Sequence, residues 1–170
     1  MKRIMVLKSH ICVAYELLCS IRMYPHESRL IDFSAGLTST FRSLSDLSDA
    51  MSLKVVFLKE LNEFVSLHQD KIGQAIEWIK MKAAQNEGAI SVYESDFRLI
   101  RLVLEKIKVT QPGQEREDFA DAFHAFFDAL LRGEILRKEM NETYFEPFQR
   151  AHPNFISELE KKELNHWAQN

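Results

Sequence analysis

Apolar side chains recur at intervals of three and four residues along most of this chain, and no other feature narrows its possible folds as much. Each residue advances about 100° around an α-helix, so such spacing gathers the apolar groups on one face, whereas a strand needs alternation. Ile4, Leu7, Ile11, Tyr15, Leu18 and Ile21 form a first stripe, which should end before Tyr24-Pro25 because proline disfavours a helical residue ahead of it. Leu37, Phe41, Leu44 and Leu47 form a second stripe, and Val55, Leu58, Leu61 and Val65 a third. Ile72, Ile76, Ile79 and Ala83 follow, with Asn86-Glu87-Gly88 as the stop. The next stripe, Tyr93, Phe97, Ile100, Leu104 and Ile107, runs to Thr110-Gln111-Pro112-Gly113, the strongest turn signal present, and these helices are expected to be antiparallel neighbours. From Glu115 a long helix carries Phe119, Phe123, Phe126 and Leu130 and should stop at Glu146-Pro147. Pro153 should open a short last helix within residues 151–170.

No alternating stretch reads as a strand, and Gly and Pro number only five and four. The expected fold is therefore all-α, an up-and-down helical bundle of five to seven helices forming one domain over residues 1–170. Seven of the twelve Phe lie between Phe119 and Phe155, so that half is expected to seal the core. A core of this size buries roughly 70% of the unfolded chain's surface, so stability requires neither metal nor disulfide, and no cofactor is expected.

Cys12 and Cys19 stand seven residues apart in the first helix, about 10.5 Å along its axis. Bridged Cα atoms lie within about 6.8 Å, so these two cannot pair and read as small apolar core residues suited to a reducing cytoplasm. Lys8, His10 and Glu16 interrupt any secretory apolar run, and no run approaches about 18 apolar residues, so neither export nor a membrane span is expected. Lys and Arg total 22 against 25 acids, a formal charge of −3, which does not supply the positive field that DNA or RNA binding uses.

Candidate chemistry is sparse. Six serines between Ser34 and Ser52 lack a Gly-x-Ser-x-Gly setting and read as caps and a solvated face. Asp121, His124 and Asp128 share one side of the long helix, but it is the side away from Phe119, Phe123 and Phe126. Di-iron bundles need inward Glu and two Glu-x-x-His pairs, and only Glu163-Leu164-Asn165-His166 has that form, so no metal site is expected and a hemerythrin-like bundle is a lesser alternative. Arg3 and His10 have the Arg-x6-His spacing of small helical ribonucleases of the HEPN class, a spacing that common residues meet by chance. No catalytic residues are assigned, and the chain is not expected to be an enzyme.

Charge is unevenly spread. Residues 1–30 carry Lys2, Arg3, Lys8, Arg22 and Arg29 against Glu16 and Glu27. Residues 115–142 reverse the balance, with eight acids against four bases. The acids nearest the start of the long helix, Glu115, Glu117, Asp118, Asp121 and Asp128, are the candidate contacts for a basic protein partner, whose approach they would accelerate.

Three patches carry a family resemblance. His10-x-x-Val13-Ala14-Tyr15-x-x-Leu18 precedes a Pro25-His26-Glu27-Ser28 turn; Ser43-Leu44-x-Asp46-Leu47-x-x-Ala50 leads into an apolar helix; and the stretch from Phe127 to Tyr144 carries Glu134, Glu139 and Glu142. In this order they resemble the regulator of sigma D family. That resemblance implies a cytoplasmic, bacterial, all-helical anti-sigma factor that regulates transcription by covering the basic DNA-binding surface of the housekeeping sigma factor of RNA polymerase. An unrelated helical adaptor, secretion chaperone or effector would fit the same composition.

Overall fold

The computed structural model describes residues 2–29, 62–63, 65–67, 69–86 and 88–169. The stripes from Leu37 to Leu61, the six serines and the second resembling patch lie outside the described residues. The fold is a helical bundle as expected, with a small two-stranded ribbon added. In chain order the elements are β1 (Arg3–Leu7), α1 (Lys8–Met23), α2 (Lys71–Gln85), β2 (Ala89–Tyr93), α3 (Glu94–Val109), α4 (Gln114–Arg132), α5 (Arg137–Met140), a π-helical turn (Asn141–Phe145), α6 (Glu146–Ala151) and α7 (Glu158–Gln169).

The ribbon corrects the sequence reading. Residues 3–7 are not the first turns of a helix but a strand paired antiparallel with β2, Arg3 opposite Tyr93 and Leu7 opposite Ala89. Val6 and Val92 point inward and are buried, while Arg3, Met5, Ser91 and Tyr93 share the other face. Ile4 and Leu7 fit the helical spacing of three but fall on opposite faces of a strand, so pairing with the distant β2 overrides the local pattern. Each strand runs straight into a helix, Leu7 into α1 and Tyr93 into α3, and Tyr93 is therefore not part of the helix it was expected to open.

Asp70 caps α2, its Oδ1 accepting from the backbone N–H of Ile72 at 3.1 Å and of Gly73 at 3.3 Å. Its apolar stripe, Ile72, Ile76, Ile79 and Ala83, is buried as the spacing predicts. The chain then turns through Gly88, whose φ of +88° suits glycine, into β2. Because β2 pairs with the strand that leads into α1, α2 packs against α1, and the antiparallel pairing of α2 with α3 is not observed. α1 is the central helix, with α4 as its most extensive neighbour. Its Cys12 is buried and Cys19 half-buried, both unbridged, and Asn86 at the end of α2 donates to Cys12 Sγ at 3.4 Å.

The long helix expected to reach Pro147 stops at Arg132. Gly133 takes a left-handed φ of +69°, and Glu134 N–H reaches back to Ala129 C=O at 2.9 Å, closing the helix end. Pro147 lies within a later helical run that it does not end. The π turn ahead of it bonds Glu146 N–H to Asn141 C=O, so the missing proline N–H falls where the ladder returns to α-helical bonding. α7 starts after Pro153 through a reciprocal cap, with Ser157 N–H donating to Glu160 Oε2 at 2.7 Å and Glu160 N–H to Ser157 Oγ at 3.2 Å.

Phe119, Phe123, Phe126, Phe127, Phe145 and Trp167 are fully buried. Phe123 stacks on Phe145 with ring centroids 4.3 Å apart, and Phe126 meets Trp167 edge-on at 5.4 Å. This aromatic layer joins α4 to the π turn and to α7.

Candidate functional site

The N-terminal half of α4 forms one wall of a cleft of about 480 Å³, with the end of α1 contributing Arg22 and the π turn and α6 forming the far wall. Ala122 and Phe148 supply apolar floor, Thr143, Tyr144 and Pro147 the far rim, and Asp118, Asp121, His124 and His152 the polar groups. α4 is amphipathic, so burying Phe119 and Phe123 inward leaves Asp118 and Asp121 on the cleft side.

Each acid in the cleft is already held by a neighbour. Asp118 accepts from His152 Nε2 at 2.9 Å through one oxygen and from Gln114 Nε2 at 2.8 Å through the other. A carboxylate only accepts, so His152 Nε2 carries the proton of that bond. His152 is packed against the Phe148 ring, with centroids 5.0 Å apart. Arg22 Nε donates to Asp121 Oδ1 at 2.8 Å, across from α1. His124 Nδ1 donates to Asp121 C=O at 2.9 Å and faces Tyr15 across 6.3 Å.

Of the five acids singled out from sequence, the structure therefore gathers two, Asp118 and Asp121, in the cleft. Glu115 is exposed and Glu117 half-buried at the start of α4, away from its floor. Asp128 lies further along α4, bonded to Arg132, which also holds Glu134 at 2.9 Å. His152, Tyr144 and Arg22 are not singled out as site residues by the sequence, because each reaches the site from another element.

Other sequence candidates are dispersed. Arg3 is exposed on the ribbon, whereas His10 is buried in α1, so the Arg-x6-His spacing places its two members on different elements. Glu163 and His166 lie exposed on α7. Among the described residues no three His, Cys, Asp or Glu side chains gather as a metal site. None of the described helices is long and apolar enough to cross a membrane. Comparison with protein-family models, with curated proteins and with solved structures finds no match for the chain.

Proposed function

We propose that the chain is a cytoplasmic protein-binding regulator that receives a basic partner in the cleft between α4 and the π turn. The observation that carries this reading is the pairing of an apolar floor, Ala122 and Phe148, and a Tyr144 and Pro147 rim with the acids Asp118 and Asp121. Protein interfaces join apolar anchors to a charged rim in this way. The carboxylates have lone pairs beyond those that His152, Gln114 and Arg22 occupy, so an incoming Lys or Arg can be added without breaking the existing bonds.

The partner follows from the family resemblance: the promoter-recognising domain of the housekeeping sigma factor, whose DNA-binding surface is basic. Covering that surface would withhold it from promoters, which is the mode of action of an anti-sigma factor.

The test is to mix purified protein and purified sigma factor at tens of micromolar in low salt, and to follow co-elution and the heat of binding. A stable complex is expected, weakening as salt rises, because exposed charges are screened over about 8 Å at physiological ionic strength. Reversing Glu117 and Asp121 to Lys should mainly slow association, at a cost of about 1 kcal/mol. Tyr144→Ala should cost more, about 2 kcal/mol, by removing an exposed aromatic contact at the cleft rim. Separate elution with no heat of binding would overturn the proposal.

A further inference from the structure

At the opposite end of α4, a second cavity of about 290 Å³, less open than the cleft, lies beside the ribbon. Its apolar wall is made by Val92, Leu130 and Ile135, and its polar groups come from Arg3, Asp96 and Arg137. Asp96 is almost fully buried and already balanced. Its Oδ1 accepts from Arg137 Nη2 at 2.7 Å and from Trp167 Nε1 at 2.9 Å. Arg137 also donates to Ser95 Oγ at 3.0 Å, which fixes its guanidinium at the cavity wall.

Arg3 is the charge left over. The antiparallel register sets it opposite Tyr93, and its guanidinium lies over that ring, 4.2 Å from the centroid. Its Nε and Nη2 donate to Ser91 Oγ and Ser91 C=O at 2.8 and 3.0 Å, which orients the group and leaves Nη1 outside those bonds. No carboxylate of the described residues pairs with Arg3. The cavity thus holds two guanidinium groups against one carboxylate, beside apolar walls and the edge of an aromatic ring.

We infer that this cavity binds a small organic monocarboxylate, its carboxylate at Arg3 and its apolar body against Val92, Leu130 and Ile135. Arg3 has no carboxylate partner among the described residues, and a guanidinium fork suits a carboxylate. The volume lies at the lower end for ligand sites and limits the body to about the size of a single ring or a short chain. Inorganic phosphate has no apolar group to place against Val92, Leu130 and Ile135.

The probes are benzoate and hexanoate, with benzamide as the neutral analogue of benzoate and inorganic phosphate as a bare anion, titrated into the full chain by calorimetry and ligand-observed NMR. At least one of the two carboxylates should bind saturably, with a Kd of about 1 mM as suits a ligand of about nine heavy atoms. Arg3→Gln should weaken it about tenfold or more, for a lost charge-assisted hydrogen bond, while Arg3→Lys weakens it less. Circular dichroism and thermal melting of both variants should match the parent, which separates lost binding from lost folding. Absence of saturable binding by both carboxylates, equal binding of benzamide, tighter binding of phosphate, or indifference to Arg3→Gln would each overturn the inference. The cavity is distinct from the partner cleft, so failure here leaves the partner proposal standing.

Discussion

Arg116 shows how burial rewrites a charge tally. Within the acidic stretch of α4 it counts as one of four bases, yet it is fully buried. Its Nη2 donates to the carbonyls of Tyr24, Pro25 and Glu27 at 3.3, 2.7 and 2.7 Å, while Nε and Nη1 have no hydrogen-bond partner among the described residues. Those carbonyls lie just beyond the C-terminus of α1, where a cation is favoured by the helix dipole. Burial pushes the guanidinium below its ordinary value, against the pull of nearby Glu27. The surface of α4 is therefore more acidic than its sequence implies, and Arg22, arriving from α1, offsets part of that.

Glu16 gives the residue scale a testable pH dependence. Burial raises its carboxyl above the ordinary 4.5, outweighing a hydrogen bond from Trp78 and the charge of Lys82. The folded state then holds the Glu16 proton more tightly than the unfolded chain, so this group's contribution to stability falls as pH rises through 4.5 toward the raised value. Glu16→Gln keeps an acceptor for Trp78 and removes the ionisation. The variant should melt higher than the parent at pH 7 and near the parent at pH 4, in thermal scans read by circular dichroism. Cys12 behaves in the same sense, burial pushing its thiol up to about 11, so it stays a thiol at neutral pH.

Among the elements, glycine and proline exchange the roles that sequence position suggests. Gly133 terminates α4 because its left-handed backbone lets Glu134 N–H turn back to Ala129, whereas Pro147 sits inside a helical run that a π turn has already loosened. A Cβ at Gly133 would meet nothing within 4 Å, so Gly133→Ala isolates the backbone cost. It should destabilise the protein by about 1–2 kcal/mol, the price of a left-handed alanine, measured as a lower urea midpoint with an unchanged slope. The ribbon follows a different logic. Its strands alternate inward Val6 and Val92 with outward Arg3 and Tyr93, but five residues of alternation resemble the edge of a helical stripe until a partner is known.

At the scale of the whole molecule, the aromatic layer decides whether α4, the π turn and α7 hold together. Phe123 is fully buried between Phe119 at 4.7 Å and Phe145 at 4.3 Å, ring centroid to centroid. Phe123→Ala should cost about 3–5 kcal/mol by leaving a cavity where three elements meet, a large part of the about 5–15 kcal/mol that holds a typical domain folded. Chemical denaturation of parent and variant would read that loss, and a change under about 1 kcal/mol would mean that the layer is not the bundle's main joint. Lys106 adds a smaller tie between α3 and α7, meeting Glu160 at 3.2 Å and the Phe155 ring at 4.9 Å.

Helical class, the buried stripe of α2, the aromatic half and the stops at Tyr24-Pro25, Asn86-Gly88 and Thr110-Gly113 follow from the amino-acid sequence alone. Each depends on residues within a turn or two of one another, where periodicity and backbone chemistry act directly. The ribbon, the buried Arg116 and the cleft were decided by tertiary structure. Asp118 and Asp121 were legible as outward acids, but His152 and Arg22 meet them only after α1, α4 and α6 have packed. Arg3 likewise acquires Ser91 and Tyr93 as neighbours only through strand pairing across the fold. A local pattern specifies which face a side chain takes, whereas its partner depends on which distant surfaces bury each other.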